Sequence, residues 1–447
     1  MPKFWAFYLM GVTVAAMLAA VTAVVPTPHG AVVIEPPAPA SVYGGQPQLD
    51  IKTADASPSA VLIYSTRWRS DIYQSSGPIN EFLGADGQLD LTLLMSLAAR
   101  SEKGLAAAYL KLVDRESNSA IILRDPGRKR DVVYPFRQKI ASASSDVQVT
   151  RRSWRGYDSV EYAPLQQPTR GTIIFLGGTD GRVAHPALRE WATLGIHVVS
   201  VPWVQAATRT PGCLDRIDLD LIARHIASLA DQHAITGPVS LVGFSGGADA
   251  ALMVANRGDI DFHSVHAISP TAWHFNGATG PGCALPSSPW TVDGKPVPYS
   301  MNFAMNWRAP FILVSRAMGG VSQNTLAQEA LESAPPALKE SIAYDVSAIS
   351  SPTFLYAGAL DDLTPSSQTL QLFCRKIAGA KCYTNARAGH DIFGTLSQPV
   401  YCKSPREALR GTDRRTYCLE TARARQYAFR TVAKVVTGER EVFAPNG

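Results

Sequence analysis

The stretch that most constrains the fold of this chain lies at residues 239–254 and reads VSLVGFSGGADAALMV. An apolar, β-rich run leads into the turn GFSGG, and a run of small residues typical of a helix follows. A turn this tight leaves no room for side chains at Gly243 and Gly247, where strand and helix pass closely. The pattern therefore predicts a strand–turn–helix that exposes the hydroxyl of Ser245 as a nucleophile, although a plain Gly/Ser turn has the same letters.

Two groups near this turn are predicted to stabilise negative charge on a substrate carbonyl oxygen. The N–H of Gly246 opens the predicted helix and points to where that oxygen would lie. The loop GGTDG follows the buried strand GTIIFL and is predicted to supply a second N–H, from Gly178 or Thr179. A glycine turn selected only for tightness is the alternative interpretation of this loop.

Two turns downstream carry the acid and the base that such a serine requires, in the chain order Ser, Asp, His. The stretch PTFLYAGALDDLTP reads as a strand followed by a turn that contains Asp361 and Asp362, and either carboxylate can serve as the acid. The stretch KCYTNARAGHDIFG places His390 beyond a second strand and after a glycine. His390 is the predicted base, and an ordinary loop histidine is the alternative.

The elements around the turn alternate between strands and helices over residues 146–440. Such alternation predicts a mainly parallel sheet with helices on both faces, and with the serine turn it indicates an α/β-hydrolase domain. Residues 31–145 show short runs with partial alternation, separated by turn signals, and predict a small N-terminal β-sandwich. The length of 447 residues suits two domains.

The first 30 residues predict export from the cytoplasm. Residues 4–25 contain no charged side chain and follow Lys3, which is typical of a signal peptide or of an uncleaved membrane anchor. We favour a cleaved signal, so that the chain contacts a membrane only if this segment is retained. In either case the sequence predicts an extracytoplasmic protein, periplasmic or secreted.

All six cysteines lie beyond residue 200, and none forms a C-x-x-C motif. In an oxidising compartment an even number of cysteines predicts disulfides rather than a zinc site. Six cysteines allow 15 pairings. From the loops and elements in which they lie, we expect the pairs Cys213–Cys283, Cys374–Cys382 and Cys402–Cys418.

Composition limits the other function classes. The net charge of +5 is mild for this length, and the arginines near residues 403–430 are mixed with acidic residues. A solvated helix face therefore explains them better than a nucleic-acid site. The sequence shows no metal-ligand cluster and no dinucleotide fingerprint, so it predicts neither a metal nor a cofactor.

Residues 269–345 interrupt the alternation of strands and helices and are predicted to form a lid. The aromatic residues of this segment either line an acyl pocket or anchor the loop.

Four stretches also carry a family resemblance: GFSGGADAALMVA, SSPWTVDGKPVPY, ISSPTFLYAGALDDLTPS and AGHDIFGTLSQPVYC. On these stretches the chain resembles the acyl-CoA thioester hydrolase and bile acid-CoA:amino acid N-acyltransferase family. The resemblance covers most of the chain after the leader. It implies an N-terminal β-sandwich followed by an α/β-hydrolase domain, as the patterns themselves predict.

The resemblance implies that Ser245 is the nucleophile, Asp361 the acid and His390 the base, since Asp361 lies three residues after Gly358. Members that transfer acyl groups to amino acids typically have cysteine at the nucleophile position, whereas this chain has serine, which favours hydrolysis. The expected activity is cleavage of a carboxylic ester or a thioester of a small molecule. An acyltransferase and a non-catalytic binding protein on the same scaffold are the alternatives.

Overall fold

The structure, a computed structural model, describes thirteen parts of the chain. They are residues 59–65, 72–82, 99–101, 119–124, 132–136, 146–208, 214–234, 237–275, 277, 287–300, 331, 335–394 and 411–439. Among these residues no helix has both the length and the apolarity that a bilayer crossing needs. The predicted leader at residues 4–25 lies outside the described ranges.

The N-terminal region contains one antiparallel sheet of five strands in the order β3-β2-β1-β4-β5. Its strands are β1 (Ser59–Ser65), β2 (Ile72–Pro78), β3 (Ala99–Ser101), β4 (Ser119–Arg124) and β5 (Val132–Phe136). The central strand β1 pairs with β2 and β4 through most of its length. The described residues of this region thus form one antiparallel sheet, and the predicted sandwich stays a prediction.

The remaining strands build an eight-stranded sheet in the order β16-β15-β12-β11-β8-β9-β7-β6, which we call the central sheet, and a small sheet in the order β10-β13-β14. They are β6 (Val147–Trp154), β7 (Tyr157–Pro164), β8 (Gly171–Leu176), β9 (Ile196–Val201), β10 (Ile217–Asp218), β11 (Val239–Phe244), β12 (Ser264–Ile268), β13 (Trp290–Val292), β14 (Lys295–Pro296), β15 (Thr353–Gly358) and β16 (Lys381–Asn385).

In the central sheet, β6 and β7 form an antiparallel hairpin, and the other six strands are parallel to one another. Four of them, β8, β9, β12 and β15, are buried at every residue, as strands covered on both faces must be. This sheet, with a sharp serine turn directly after β11, is the α/β-hydrolase fold that the sequence predicts.

Seven described α-helices accompany the sheets. They are α1 (Pro186–Thr193), α2 (Trp203–Ala207), α3 (Leu219–Ala234), α4 (Gly246–Asn256), α5 (Pro336–Ser341), α6 (Ser366–Lys376) and α7 (Arg414–Val436). Apolar residues of α3, α4 and α6 form the core on one face of the central sheet. Those of α1 and α7 form the core on the other face.

The cysteines of the described ranges are all disulfide-bonded. Cys374 in α6 and Cys382 in β16 form the predicted pair, with their Cα atoms 6.4 Å apart. Cys418 in α7 is bonded as well. The predicted pairs Cys213–Cys283 and Cys402–Cys418 include residues outside the described ranges, so they stay predictions.

One basic residue of α7 contradicts the prediction that the arginines near residues 403–430 form a solvated helix face. The side chain of Arg425 is only 3% exposed, because its guanidinium forms an ion pair with the Asp391 carboxylate and donates to the Asp391 carbonyl oxygen. These bonds replace the hydration that a charged group loses on burial. The interpretation of this run as a solvated helix face is therefore wrong for Arg425.

Candidate active site

Ser245 lies at the sharp turn between β11 and α4. Its backbone has φ 53° and ψ −127°, a conformation that is strained for a residue with a side chain. The Ser245 N–H donates to the carbonyl oxygen of Ile268 at 2.8 Å, which ties the turn to the end of β12. The strained turn thus presents the hydroxyl at the carboxyl edge of the central sheet.

Both glycines of the turn are required for steric reasons, as the sequence predicts. A Cβ atom on Gly243 would lie 2.2 Å from the Gly247 carbonyl oxygen. One on Gly247 would lie 2.1 Å from the carbonyl oxygen of Leu176, the last residue of β8. Any larger residue would push α4 away from the sheet and move Ser245 with it.

The three predicted site residues form one hydrogen-bonded chain. Nε2 of His390 lies 3.1 Å from Oγ of Ser245, and Nδ1 lies 2.8 Å from Oδ2 of Asp361. The side chain of Asp361 is 1% exposed and that of His390 is 10% exposed. This geometry allows the imidazole to take a proton from the serine while the carboxylate holds the ring in one orientation.

The Asp361 carboxylate is held by the turn that follows it. Oδ1 accepts from the N–H groups of Leu363 at 2.9 Å and Thr364 at 3.0 Å. Oδ2 accepts from the hydroxyls of Thr364 at 3.0 Å and Ser366, besides facing His390. Burial by itself raises the pKa of Asp361, but the imidazole and these donors outweigh it and lower the pKa below its ordinary value.

Between the two aspartates that the sequence left open, the structure places Asp361 on the imidazole. Asp362 is partly exposed and acts on His390 through its charge. Burial lowers the pKa of His390, but the charge of Asp361 and its hydrogen bond raise it, and Asp362 and Asp391 add to the rise. The net shift is upward, so the ring readily accepts a proton.

The loop that carries His390 is fixed from two sides. Ser269 after β12 donates its hydroxyl to the His390 carbonyl oxygen at 3.0 Å. From α7, the Thr421 hydroxyl accepts from the Gly389 N–H at 2.9 Å, and a Cβ atom on Gly389 would lie 1.8 Å from the Tyr417 hydroxyl oxygen. The C-terminal helix α7 therefore contacts the loop directly beside His390 and holds it in place.

The predicted oxyanion loop lies against the serine turn. A Cβ atom on Gly246 would lie 2.3 Å from the Thr179 methyl carbon, and one on Gly178 would lie 3.6 Å from the Phe244 ring. The indole N–H of Trp203 donates to the carbonyl oxygen of Gly177 at 2.9 Å and fixes the loop. The first N–H groups of a helix have no intrahelical partner, so the Gly246 N–H has the setting expected of an oxyanion donor.

A second buried acid lies one turn further along α4. Asp249 accepts from the Thr271 N–H at 2.8 Å and from the Tyr344 hydroxyl at 3.4 Å. Burial raises the pKa of Asp249 to about 8, because these bonds offset only part of the desolvation. The raised pKa favours the protonated, uncharged form of this acid near neutral pH.

The aromatic residues of the predicted lid include an anchor. The indole of Trp290, 4% exposed, stacks on Trp203 with ring centroids 5.4 Å apart. Phe275 and Trp273 join the neighbouring backbone through bridges to Ser300 and Ala343. Trp290 therefore anchors the loop and does not line an open acyl pocket. Residues 301–330 of this segment lie outside the described ranges.

Sequence reasoning missed Ser366, Ser269 and Thr421, which hold the acid and the histidine loop in place. The run LTPSS directly after the two aspartates is a local signal for Ser366, because hydroxyl residues close to a carboxylate often bond to it. Ser269 and Thr421 act across long stretches of chain, and no local pattern marks them.

Comparison with known proteins adds little to this geometry. No family model and no curated protein matches the chain. Among solved structures, an esterase/lipase from an uncultured bacterium matches at 14% identity and a TM-score of 0.34, covering 64% of this chain and 87% of the other. Brefeldin A esterase, a bacterial homologue of human hormone-sensitive lipase, matches at 13% identity and a TM-score of 0.37, covering 66% and 76%.

A monoacylglycerol lipase from Paleococcus ferrophilus matches at 14% identity and a TM-score of 0.34, covering 65% of this chain and 99% of the other. Such low similarity carries no argument about activity. The fold assignment rests on the strand order of the central sheet and on the position of the serine turn after β11.

Proposed function

We propose that this protein is a serine hydrolase that cleaves a carboxylic ester or a thioester of a small molecule. The observation that carries the proposal is the continuous chain from Ser245 through His390 to the buried Asp361, at the carboxyl edge of the central sheet. A histidine with a raised pKa beside a serine on a strained turn suits general-base activation of that serine.

In the proposed first half-reaction, Oγ of Ser245 attacks the carbonyl carbon and its proton passes to Nε2 of His390. The negative oxygen of the tetrahedral intermediate accepts from the N–H of Gly246 and from a second N–H at Gly178 or Thr179. The bond to the leaving group then breaks, and His390 donates the proton to the departing alcohol or thiol.

In the second half-reaction, a water molecule attacks the acyl group on Ser245. Its proton passes to Nε2 of His390, the bond between the acyl carbon and Oγ breaks, and His390 returns the proton to Oγ as the acid product leaves. Asp361 stays ionised and stabilises the imidazolium that forms twice in the cycle. The carboxylate of Asp361 accepts from two backbone N–H groups and its pKa is lowered, and both properties suit this role.

The serine nucleophile supports water as the acceptor. A disulfide between Cys374 and Cys382 supports the proposal that the protein works outside the cytoplasm, as a periplasmic or secreted enzyme. Because coenzyme A is scarce outside the cytoplasm, this location favours simple esters and thioesters over coenzyme A thioesters as substrates.

A fluorophosphonate probe tests the nucleophile, because it reacts covalently with an activated serine. We expect stoichiometric labelling that peptide mapping assigns to Ser245 and that Ser245→Ala abolishes. Ser347→Ala is the matched control, since this exposed serine only bonds to Asp345 and should leave labelling unchanged. Absence of labelling at Ser245 in the folded wild-type protein would overturn the proposal.

The bond that is cleaved is tested with two matched series, p-nitrophenyl esters and N-acetylcysteamine thioesters of the same acyl chains. We expect turnover of at least one series to depend on Ser245, with the free acid as product. Transfer of the acyl group to an added amine or alcohol, in preference to water, would instead identify an acyltransferase.

A further inference from the structure

Three side chains that can bind a metal ion meet outside the proposed active site. Glu161 of β7, His197 of β9 and His233 at the end of α3 each offer one ligand atom, and these atoms lie within 4.8 Å of one another. Nε2 of His197 lies 2.8 Å from Oε1 of Glu161, and the two imidazole rings have centroids 4.7 Å apart. The sequence predicts no metal cluster because the three residues lie in separate elements.

The register of the central sheet explains why two of these groups meet. Glu161 pairs with Val199, and His197 lies two residues before Val199 on the same strand. Side chains two residues apart on a strand share a face, so Glu161 and His197 are diagonal neighbours within reach of each other. Val201 on the same face packs in the core that contains α3, the helix that supplies His233.

The cluster lies at the opposite edge of the sheet from Ser245. His197 is the second residue of β9 and pairs with Thr172, the second residue of the parallel strand β8. Ser245, in contrast, follows the last residue of β11. A ligand held by the cluster is therefore separated from the triad by the length of the parallel strands.

The donor set is typical of a transition-metal site. Two imidazole nitrogens and one carboxylate oxygen are the three protein ligands of many zinc sites, with water as the fourth ligand. Both histidines are buried, 8% and 7% exposed, so a metal ion held between them would be shielded from bulk water. Imidazole nitrogens are among the commonest ligands of such ions.

One charged neighbour competes for the carboxylate. Nε of Arg152 lies 2.7 Å from Oε2 of Glu161, so this guanidinium already pairs with one oxygen. The Arg152 side chain is 57% exposed and can turn into solvent. The other carboxylate oxygen, Oε1, faces the histidines.

We propose that Glu161, His197 and His233 bind one divalent transition-metal ion, Zn²⁺ by preference, at the amino edge of the central sheet. The ion takes the place of the proton shared between Glu161 and His197, and it joins β7, β9 and α3. Because the site is remote from the triad, the ion stabilises the fold and takes no part in ester cleavage.

The test measures Zn²⁺ binding to the full chain after treatment with EDTA and dialysis. The His390→Ala background is used so that the triad imidazole cannot bind the ion. Isothermal titration calorimetry should give one site per chain, and X-ray absorption should show nitrogen and oxygen ligands at about 2.0–2.1 Å. Zn²⁺ should also raise the melting temperature.

Replacement of a ligand supplies the decisive variants. His233→Gln and Glu161→Gln should each weaken Zn²⁺ binding by about 100-fold or more, whereas Arg152→Gln should strengthen it by freeing the carboxylate. His263→Gln is the matched control, because this exposed histidine lies outside the cluster and its ring bonds to a backbone oxygen in α7, at Val435. The proposal is overturned if the chain binds no stoichiometric Zn²⁺, or if both ligand variants bind it like the control.

Discussion

The central sheet holds a histidine–carboxylate pair at each of its two edges, and the pairs have the same contact distance. At the carboxyl edge, Nδ1 of His390 lies 2.8 Å from Asp361; at the amino edge, Nε2 of His197 lies 2.8 Å from Glu161. Yet the pKa of His390 is raised while that of His197 is lowered. The contact alone therefore does not make a histidine a base.

The surrounding charges account for the difference. Burial lowers the pKa of both rings. Around His390 the carboxylates of Asp361, Asp362 and Asp391 outweigh burial, whereas around His197 the guanidinium of Arg152 opposes the single carboxylate of Glu161. A base needs net negative charge around it as well as a nucleophile at its other nitrogen, and only His390 has both.

The largest contrast is expected when each histidine is removed. His390→Ala should lower kcat by about 10⁵-fold or more, because the serine loses the group that takes its proton. His197→Gln should leave kcat and KM within about twofold of wild type, since the amino edge is remote from Ser245. Steady-state hydrolysis of a p-nitrophenyl ester measures both. Equal losses in two folded variants would contradict the distinction between the edges.

A smaller contrast is expected between neighbouring carboxylates. Asp361→Asn should lower kcat by about 10⁴-fold, because the amide favours the wrong imidazole tautomer while it fills the same space. Asp362→Asn, which removes only a nearby charge, should cost less than about tenfold. Kinetics at a pH above the histidine inflection compare the two. A larger loss for Asp362→Asn would mean that the acid is assigned to the wrong residue.

The pH profile should show the raised pKa of His390. The free imidazole is the active form, so kcat/KM falls as the pH drops through the pKa of the ring. Because that pKa lies above the ordinary 6.5, the acidic limb should have its inflection above pH 6.5. Asp362→Asn removes a charge that raises the pKa and should move the inflection to lower pH. An unchanged inflection would show that another group controls the limb.

The smallest effect is expected at the other edge. Arg152→Gln removes a positive charge that helps to lower the pKa of His197, so this pKa should rise. Because Arg152 is more than half exposed and screened by water, we expect this rise to be small. NMR titration of the imidazole resonances measures it. A downward shift would contradict the charge argument.

Local patterns made the hydrogen-bonded chain of Ser245, His390 and Asp361 predictable from the sequence. The serine turn, its strand and its helix occupy one short stretch, and tight geometry dictates Gly243 and Gly247 in place of larger residues. Asp361 and His390 each follow the end of a strand, and these signals also lie within single short stretches of sequence. The pairing of Cys374 with Cys382 was predictable as well, because a helix returns to the next strand over few residues.

Contacts between distant elements were not predictable in this way. The amino-edge cluster arises from the register of β7 on β9 and from the position of the end of α3, neither of which a single stretch encodes. The burial of Arg425 depends on the placement of Asp391 after the last strand. Sequence reasoning interpreted that arginine from its charged neighbours in the chain, whereas its partner comes from the fold.

The support of the His390 loop by α7 has a consequence for how activity arises during synthesis. During synthesis, the serine, aspartate and histidine are added to the chain before Tyr417 and Thr421. Until that last helix docks, the Gly389 N–H lacks its acceptor and the histidine its support. We therefore expect a chain cut short ahead of α7 to contain Ser245, Asp361 and His390 and still lack activity, so that the last residues to be synthesised decide when the proposed site becomes competent.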